Sequence, residues 1–194
     1  MTGLDASPSA RKSELLEAAY GYVLTHGLVA LSLRPLAAAI GSSPRVLLYL
    51  FGSKDGLVQA LLARARADEL ALLTRTRSAP DAGLAGTARQ LWAWLAAAEH
   101  RPLLTLWVEG YAHSLLEPDG PWGGFARGTV QDWLDQLAQA QPAGDRDTPA
   151  ALARRTLVLA VLRGALLDLL ATGDEQRTTA AVHDHLTTVD PSPS

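Results

Sequence analysis

Apolar residues recur every three or four positions along nearly the whole chain, and short breaks rich in glycine, proline, serine and aspartate separate these stretches. Such spacing is typical of helices that bury one face, whereas the alternation expected of half-buried strands is nearly absent. The pattern therefore predicts an all-α protein of about nine helices, without an internal repeat.

The first part of the chain is predicted to form three helices, over residues 9–26, 33–40 and 44 to about 50. Gly27 is placed to end the first of them in a left-handed conformation, which glycine adopts without steric cost. Ser32 and Ser43 each precede a short helix and can cap it. Two short helices separated by a turn at Gly41 indicate a helix-turn-helix.

The rest of the chain is predicted to form six more helices, of which the first is long. This helix opens at residues 53–55 and runs towards Thr76, so that it would link the two halves of the protein. Five helices follow. The first of them is predicted to end near His100, the next three to span 102–117, 124–140 and 149–172, and the last to end near Val189. The predicted domains are a helix-turn-helix domain over 1–56, a helical domain over 57–189 and a disordered tail over 190–194.

Composition limits the chemistry. With a net charge of −3 and a pI near 5.9, the chain has no overall positive field, so a DNA site would have to be a local basic cluster. The absence of cysteine excludes a disulfide framework, a thiolate zinc site and a cysteine nucleophile. Residues 1–10 lack the apolar core of a signal peptide, and no apolar run reaches the roughly 18 residues of a membrane span. We therefore expect a cytoplasmic protein without a membrane partner.

From Ser32 to Leu57 the chain reads SLRPLAAAIGSSPRVLLYLFGSKDGL, and this segment resembles the N-terminal signature of the TetR family of transcriptional regulators. The resemblance rests on residues in fixed register: Gly27, Ser32, Arg34, Leu36, Ala37, Gly41, Ser43, Leu47, Tyr49, Phe51, Ser53, Lys54 and Leu57. It implies a ligand-responsive repressor that binds a palindromic double-stranded operator as a homodimer. Its N-terminal three-helix domain would bind DNA, and its C-terminal helical domain would dimerise and bind the ligand.

The predicted DNA-binding residues are Ser32, Arg34, Ser43, Pro44, Arg45, Val46, Tyr49 and Lys54. Arg45 falls in the first turn of the recognition helix, where its planar guanidinium can bond guanine O6 and N7. Lys54 stands at the N-terminus of the long helix, where a phosphate can bind. The alternatives are a solvated charge for each cation, a core position against helix 1 for Tyr49, and simple exposure for Val46.

Three residues depart from the family pattern. Leu48 replaces the common aromatic and Leu50 the common histidine, so two backbone contacts would be lost and phosphate affinity lowered. Pro44 occupies a position often used for base contacts, and its side chain cannot hydrogen-bond. The burden of specificity would therefore fall on Arg45.

All five tryptophans lie between residues 92 and 133, and such clustering could line a pocket for a small lipophilic ligand. The predicted ligand-binding residues are Trp92, Trp107, Glu109, Tyr111, His113 and Trp133. The alternative is that the tryptophans are ordinary core residues. Glu109 and His113, four positions apart, could also pair with each other.

The helix predicted over 149–172 is apolar nearly all round, which one subunit's core cannot use fully, so a two-fold dimer is expected. The predicted interface contains Leu157, Ala160, Val161, Gly164, Asp168 and Ala171. Residues 163–174 also resemble the helix through which family members dimerise.

The sequence contains no pair of Glu-x-x-His elements, no phosphate-binding glycine loop and no nucleophile motif. His183 and His185 would point to different faces of a helix. We therefore predict no catalytic residue, no metal and no cofactor, and a protein that is not an enzyme. The second hypothesis is a helical small-molecule-binding or protein-interaction module with weakened DNA binding. Leu48, Leu50 and the low basicity favour it, whereas the retained basic residues argue against it.

Overall fold

The computed structural model describes residues 8–75 and 83–189. Across these ranges the chain is all-α, as the spacing of apolar residues predicts. The α-helices are α1 (Pro8–His26), α2 (Leu33–Ala39), α3 (Pro44–Phe51), α4 (Lys54–Arg75), α5 (Gly83–Ala96), α6 (Arg101–Leu116), α7 (Phe125–Gln139), α8 (Pro149–Thr172) and α9 (Glu175–Thr187). The tail predicted to be disordered lies outside the described residues.

The end of α5 is the one helix boundary that the sequence misplaced by several residues. The helix ends at Ala96 instead of His100, because Ala97 has an extended backbone and a short 3₁₀ helix follows at Ala98–His100. The His100 ring folds back onto Trp94, with ring centroids 3.9 Å apart and its Nδ1 3.0 Å from the Trp94 carbonyl oxygen. The sequence does not predict this contact, because the segment is rich in alanine and favours helix throughout.

Local signals explain most of the other boundaries. Gly27 ends α1 with φ at 77°, as predicted, and the Ser43 hydroxyl accepts a hydrogen bond from the Val46 N–H at the start of α3. Ser32 occupies the corresponding position before α2, but the prediction that its side chain caps this helix is wrong. The third residue of α2 is Pro35, which has no N–H to donate.

The helices form two compact units. The first contains residues 8–67 and 102–126, and the second contains the described residues of 68–101 and 127–189. The chain passes between the units within α4, at the start of α6 and at the start of α7. The compact units thus do not divide at residue 56, because α6 and much of α4 pack with the N-terminal helices. The functional boundary at that residue stays a prediction.

The first unit has a continuous apolar core drawn from α1 to α4 and α6. Leu36, Leu57 and Leu61 are fully buried in it, and Trp122 and Phe125 close it from the segment that follows α6.

The second unit packs α5 against α8 and α9. The Trp92 indole N–H donates to the Thr179 hydroxyl at 2.9 Å, and the Trp133 indole N–H donates to the carboxylate of Glu69, a buried residue of α4. The Arg177 guanidinium donates to both carboxylate oxygens of Asp168, which joins α9 to α8 and holds the pKa of Asp168 below its usual value.

Within the described ranges no single helix has the length and hydropathy to cross a membrane. By length and composition only the bent pair of α3 and residues 54–71 passes that test, with 70° between its halves.

Gly110 allows α6 to lie against α4. A Cβ at this position would be 2.9 Å from Leu62 Cδ2 and 3.1 Å from Phe125 Cε1, and both of these side chains are buried. Gly110→Ala is therefore expected to destabilise the protein by about 1–3 kcal/mol through overpacking. Urea unfolding followed by circular dichroism measures this change.

The matched control is Gly21→Ala, because Gly21 is also helical but has open space around its Cβ position. This variant is expected to gain up to about 1 kcal/mol from helix propensity. Equal unfolding midpoints for the two variants would show that α6 does not lie closely against α4.

Candidate nucleic-acid interface

Helix α3 separates its residues cleanly between core and solvent. Leu47 and Phe51 are buried, whereas Arg45, Val46 and Tyr49 are exposed on the opposite side. Because Leu47 and Phe51 are four residues apart, they share the inward face and turn Tyr49 outward. Tyr49 is 79% exposed, so its alternative position as a core aromatic is wrong.

The N-terminus of α3 leaves few backbone donors free. Pro44 is its first residue and lacks an N–H, while the Ser43 hydroxyl occupies the N–H of Val46 at 3.3 Å. Arg45, the second residue, is exposed. A guanidinium in the first turn of an exposed helix can reach base edges in a major groove.

The turn from α3 to α4 sets the position of Lys54. Gly52 has φ at 80°, and the Ser53 hydroxyl accepts a hydrogen bond from the Gly56 N–H at 2.9 Å. A Cβ on Gly56 would lie 2.1 Å from the Phe51 carbonyl oxygen, so only glycine permits this close junction. Lys54 is thereby held exposed in the first turn of α4, and only Gly52 and Ser53 separate it from the end of α3.

Lys12 is a basic residue of this surface that the sequence analysis missed. Its ammonium lies 5.3 Å from the centre of the Phe51 ring, which brings α1 to the end of α3. The chain has only two lysines, Lys12 and Lys54, and both lie beside this turn. The scarcity of lysine in the sequence is the signal that could have drawn attention to Lys12.

Ser32, directly before α2, and Arg34 on α2 are both exposed. The cations Arg34, Arg45 and Lys54 form no salt bridge with any residue that the structure describes, although Arg11, Arg64 and Arg177 all pair with acids. Cations without acidic partners can pair with phosphate without first losing an internal contact. We define Ser32, Arg34, Ser43, Pro44, Arg45, Val46, Tyr49 and Lys54 as the basic face.

Comparison with known proteins identifies this arrangement. Residues 15–61 match the family model described as bacterial regulatory proteins, tetR family. Residues 15–61 therefore form a segment of the TetR-family type. The chain is accordingly a DNA-binding transcriptional regulator with a helix-turn-helix formed by α2 and α3, and the family resemblance of its N-terminal sequence is confirmed. None of the curated protein sequences matches it.

Solved structures match nearly the whole chain. A Rhodococcus sp. TetR-family transcriptional regulator is similar with a TM-score of 0.73 at 16% identity, over 92% of this chain and 98% of that one. The multidrug binding protein EbrR, in complex with imidazole, gives 0.69 at 27% identity over 95% and 92%. In complex with proflavin it gives 0.65 at 26% identity over 91% and 99%. SmeT, the repressor of the Stenotrophomonas maltophilia efflux pump SmeDEF, gives 0.63 at 17% identity over 94% and 91%.

The residues predicted to bind a ligand fall into both compact units. Trp92 and Trp133 are buried in the second unit. The others lie on α6 in the first unit, where the rings of Trp107 and Tyr111 are 5.0 Å apart. The described residues contain no group of three or more His, Asp or Glu side chains that could hold a metal ion.

One alternative from the sequence was that Glu109 and His113 pair with each other, and this alternative is wrong. The Glu109 carboxylate accepts hydrogen bonds from the backbone N–H groups of Leu28 and Val29. His113 instead stacks on Trp122, with ring centroids 4.7 Å apart, and its Nδ1 is 3.8 Å from Glu117. Their ligand-binding role stays a prediction.

An open cleft of about 230 Å³ lies in the second unit. It is lined by Gly83, Leu84, Ala140, Gln141, Pro142, Asp145, Ala151 and Arg154. None of the residues predicted to bind a ligand or DNA lines it.

Substitutions in the basic face should separate base reading from phosphate binding. Arg45→Ala is expected to cost about 1–3 kcal/mol of binding free energy on the preferred duplex and to relax sequence preference. Lys54→Ala should weaken all duplexes alike and lower the salt slope by about one. Fluorescence anisotropy at several salt concentrations measures both effects.

The control is Arg89→Ala, because Arg89 is an exposed arginine of α5 in the second unit. It should bind DNA as the unaltered protein does. If Arg45→Ala and Lys54→Ala also left affinity unchanged, α3 would not be the recognition helix.

Proposed function

We propose that the protein is a ligand-responsive repressor that binds a near-palindromic operator as a homodimer. The observation that carries the DNA-binding part is the basic face, where Arg45 and Lys54 are exposed on adjoining helix ends without an acidic partner among the described residues. The family match over residues 15–61 covers this same segment. The regulated genes and the operator sequence are to be found by selecting duplexes from a random pool.

A dimer is proposed from the exposed face of α8. Residues with small or apolar side chains recur on it at intervals of four and three: Ala153, Leu157, Ala160, Gly164, Leu167 and Ala171 are all exposed. Leu157 and Leu167 are 55% and 51% exposed, although leucine side chains usually lie inside a helical protein. This spacing is that of the contact seam between two packed helices.

Gly164 adds a second argument for the dimer. A Cβ at this position would meet nothing within 4 Å, so the chain itself does not require a glycine there. A glycine inside a helix costs about 1 kcal/mol relative to alanine. A close crossing with the α8 of a second copy would explain it. Val161 and Asp168 flank the seam, and Asp168 is already held by Arg177.

Leu157→Glu is expected to shift the protein from dimer to monomer at micromolar concentration, because two carboxylates would face each other across the two-fold axis. Sedimentation velocity measures the change. Leu115→Glu is the control, since Leu115 is 65% exposed but lies on α6. An unaltered protein that sediments as a monomer would rule out the dimer.

Ligand response is proposed from the composition of the helical domain and from one relative. EbrR, at 27% identity, is a multidrug binding protein whose structure is known in complex with imidazole and, at 26% identity, with proflavin. We propose a small lipophilic, aromatic ligand, with buried Trp92 and Trp133 among the residues that contact it. Release of DNA requires that the ligand bind the DNA-free conformation more tightly.

This proposal is tested by linkage. A panel of lipophilic aromatic compounds that do not themselves bind DNA is titrated against tryptophan fluorescence, with and without the selected duplex. The duplex should weaken the inducing compound by the same factor as the compound weakens the duplex. A compound that quenches the tryptophans with equal affinity in both cases would be a ligand but not an inducer.

The alternative is a helical binding module with weakened DNA affinity, and the exposure of Leu48 favours it. Leu48 is 41% exposed on α3 and can make no hydrogen bond to a phosphate. Leu48→Tyr restores the common aromatic at this position. The alternative would be supported if the unaltered protein bound no duplex selectively and this variant bound DNA much more tightly.

A further inference from the structure

The carboxylate of Glu109 on α6 binds the backbone immediately after α1. It accepts a hydrogen bond from the Leu28 N–H at 2.8 Å and another from the Val29 N–H at 2.5 Å. These partners are 81 and 80 positions away in the sequence. A carboxylate that accepts from two successive backbone N–H groups is a charge-assisted contact, stronger than a neutral hydrogen bond.

The backbone at this point has the shape of an anion site. Gly27 turns to φ of 77° directly after the last helical residue of α1, and the next two N–H groups then point to the same side. Successive N–H groups around a left-handed residue form a concavity that favours a negative charge. A Cβ on Gly27 would lie 3.4 Å from both carboxylate oxygens, so the carboxylate is seated against the glycine itself.

The segment that Glu109 holds leads directly to the DNA-binding helices. Leu28 and Leu31 are buried in the core of the first unit, and the Leu31 N–H donates to the Leu28 carbonyl oxygen at 3.0 Å. Helix α2, which carries Arg34, begins at Leu33. A displacement of Leu28 would therefore be passed through a packed turn to α2.

The neighbouring residue fixes α6 to a second element. Gly110 brings the α6 backbone against Leu62 of α4, and its Cβ position has no free space. Adjacent residues of α6 thus contact α4 and the connection between α1 and α2. Because packed elements shift between discrete arrangements, a movement of α6 cannot leave both of these contacts unchanged.

We propose that Glu109 is a positioning residue for DNA binding: its carboxylate, seated in the backbone concavity at residues 27–29, holds the helix-turn-helix in the arrangement that fits DNA. The inference rests on the proposed repressor function and specifies the contact through which α6 acts on it. Breaking the contact leaves two N–H groups without their anion and frees the connection to α2. Glu109 itself need not touch DNA.

The test compares Glu109→Gln with Glu117→Gln in the full-length protein. Glutamine keeps the size of the side chain, but its amide N–H₂ group would face backbone donors. Glu117 is an exposed glutamate just beyond α6 whose partner is His113. The probe is a duplex that the unaltered protein selects from a random pool, and the readouts are duplex affinity, its salt slope and amide exchange at Leu28 and Val29.

In the unaltered protein, duplex binding is expected to slow exchange of the Leu28 and Val29 amides by about tenfold or more, because linkage is reciprocal. Glu109→Gln should bind the duplex about tenfold more weakly with the same salt slope, since no phosphate contact is lost. Exchange of these two amides in the variant should be fast with or without duplex. Glu117→Gln should behave as the unaltered protein, and Glu109→Asp should recover part of the affinity.

Two results would overturn the inference. One is duplex affinity in Glu109→Gln equal to that of the unaltered protein, even with a lowered unfolding temperature, because the contact would then be merely structural. The other is exchange at Leu28 and Val29 that duplex binding does not change. If the unaltered protein selects no duplex at all, the proposed function fails and the positioning role fails with it, which is a different outcome from a normal duplex affinity in the variant.

Discussion

Everything that α3 does depends on the burial of Leu47 and Phe51. The helix has eight residues, and an isolated helix of that length does not form in water. Its stability must therefore come from the apolar face that it buries in the core of the first unit. The same packing determines which residues are exposed, because turning Leu47 and Phe51 inward places Arg45, Val46 and Tyr49 outside. Folding and the presentation of a DNA-binding surface are thus one event in this segment.

The second constraint is close approach of backbones at glycine. At Gly56 the start of α4 lies close against the last carbonyl of α3, and at Gly110 α6 lies close against α4. Gly110 lies inside α6, where a glycine costs about 1 kcal/mol relative to alanine, and Gly56 lies in the first turn of α4. The packing that they permit offsets this cost, since a side chain at either place would push two elements apart. The recognition helix, α4 and α6 are consequently held to one another by positions that carry no side chain at all.

Local signals predicted most of the fold, and long-range contacts account for what was missed. The bounds of α8 follow from Thr148, Pro149 and Gly173, which cap, start and end the helix within a few residues of sequence. The end of α5 was missed because an extended Ala97 ends the helix within an alanine-rich segment, next to the ring contact between Trp94 and His100. The residues of the basic face could be proposed from the sequence because a helix-turn-helix is a short contiguous segment. The backbone groups that bind Glu109 could not be predicted, since about 80 residues separate the carboxylate from its donors.

A net charge of −3 and a DNA-binding function are compatible because pairing, rather than the total, determines the local field. Arg64 and Arg177 are neutralised by Glu17 and Asp168, so these pairs contribute little beyond their own surroundings. The cations of the basic face have no such partner among the described residues, and at physiological salt their field extends about 8 Å, far enough to reach a phosphate in contact with the surface. Helices α2 and α3 contain no acidic residue, and the start of α4 contains one. Asp55 is the acidic residue in those segments, and its position in the first turn of α4 stabilises the helix end that Lys54 shares.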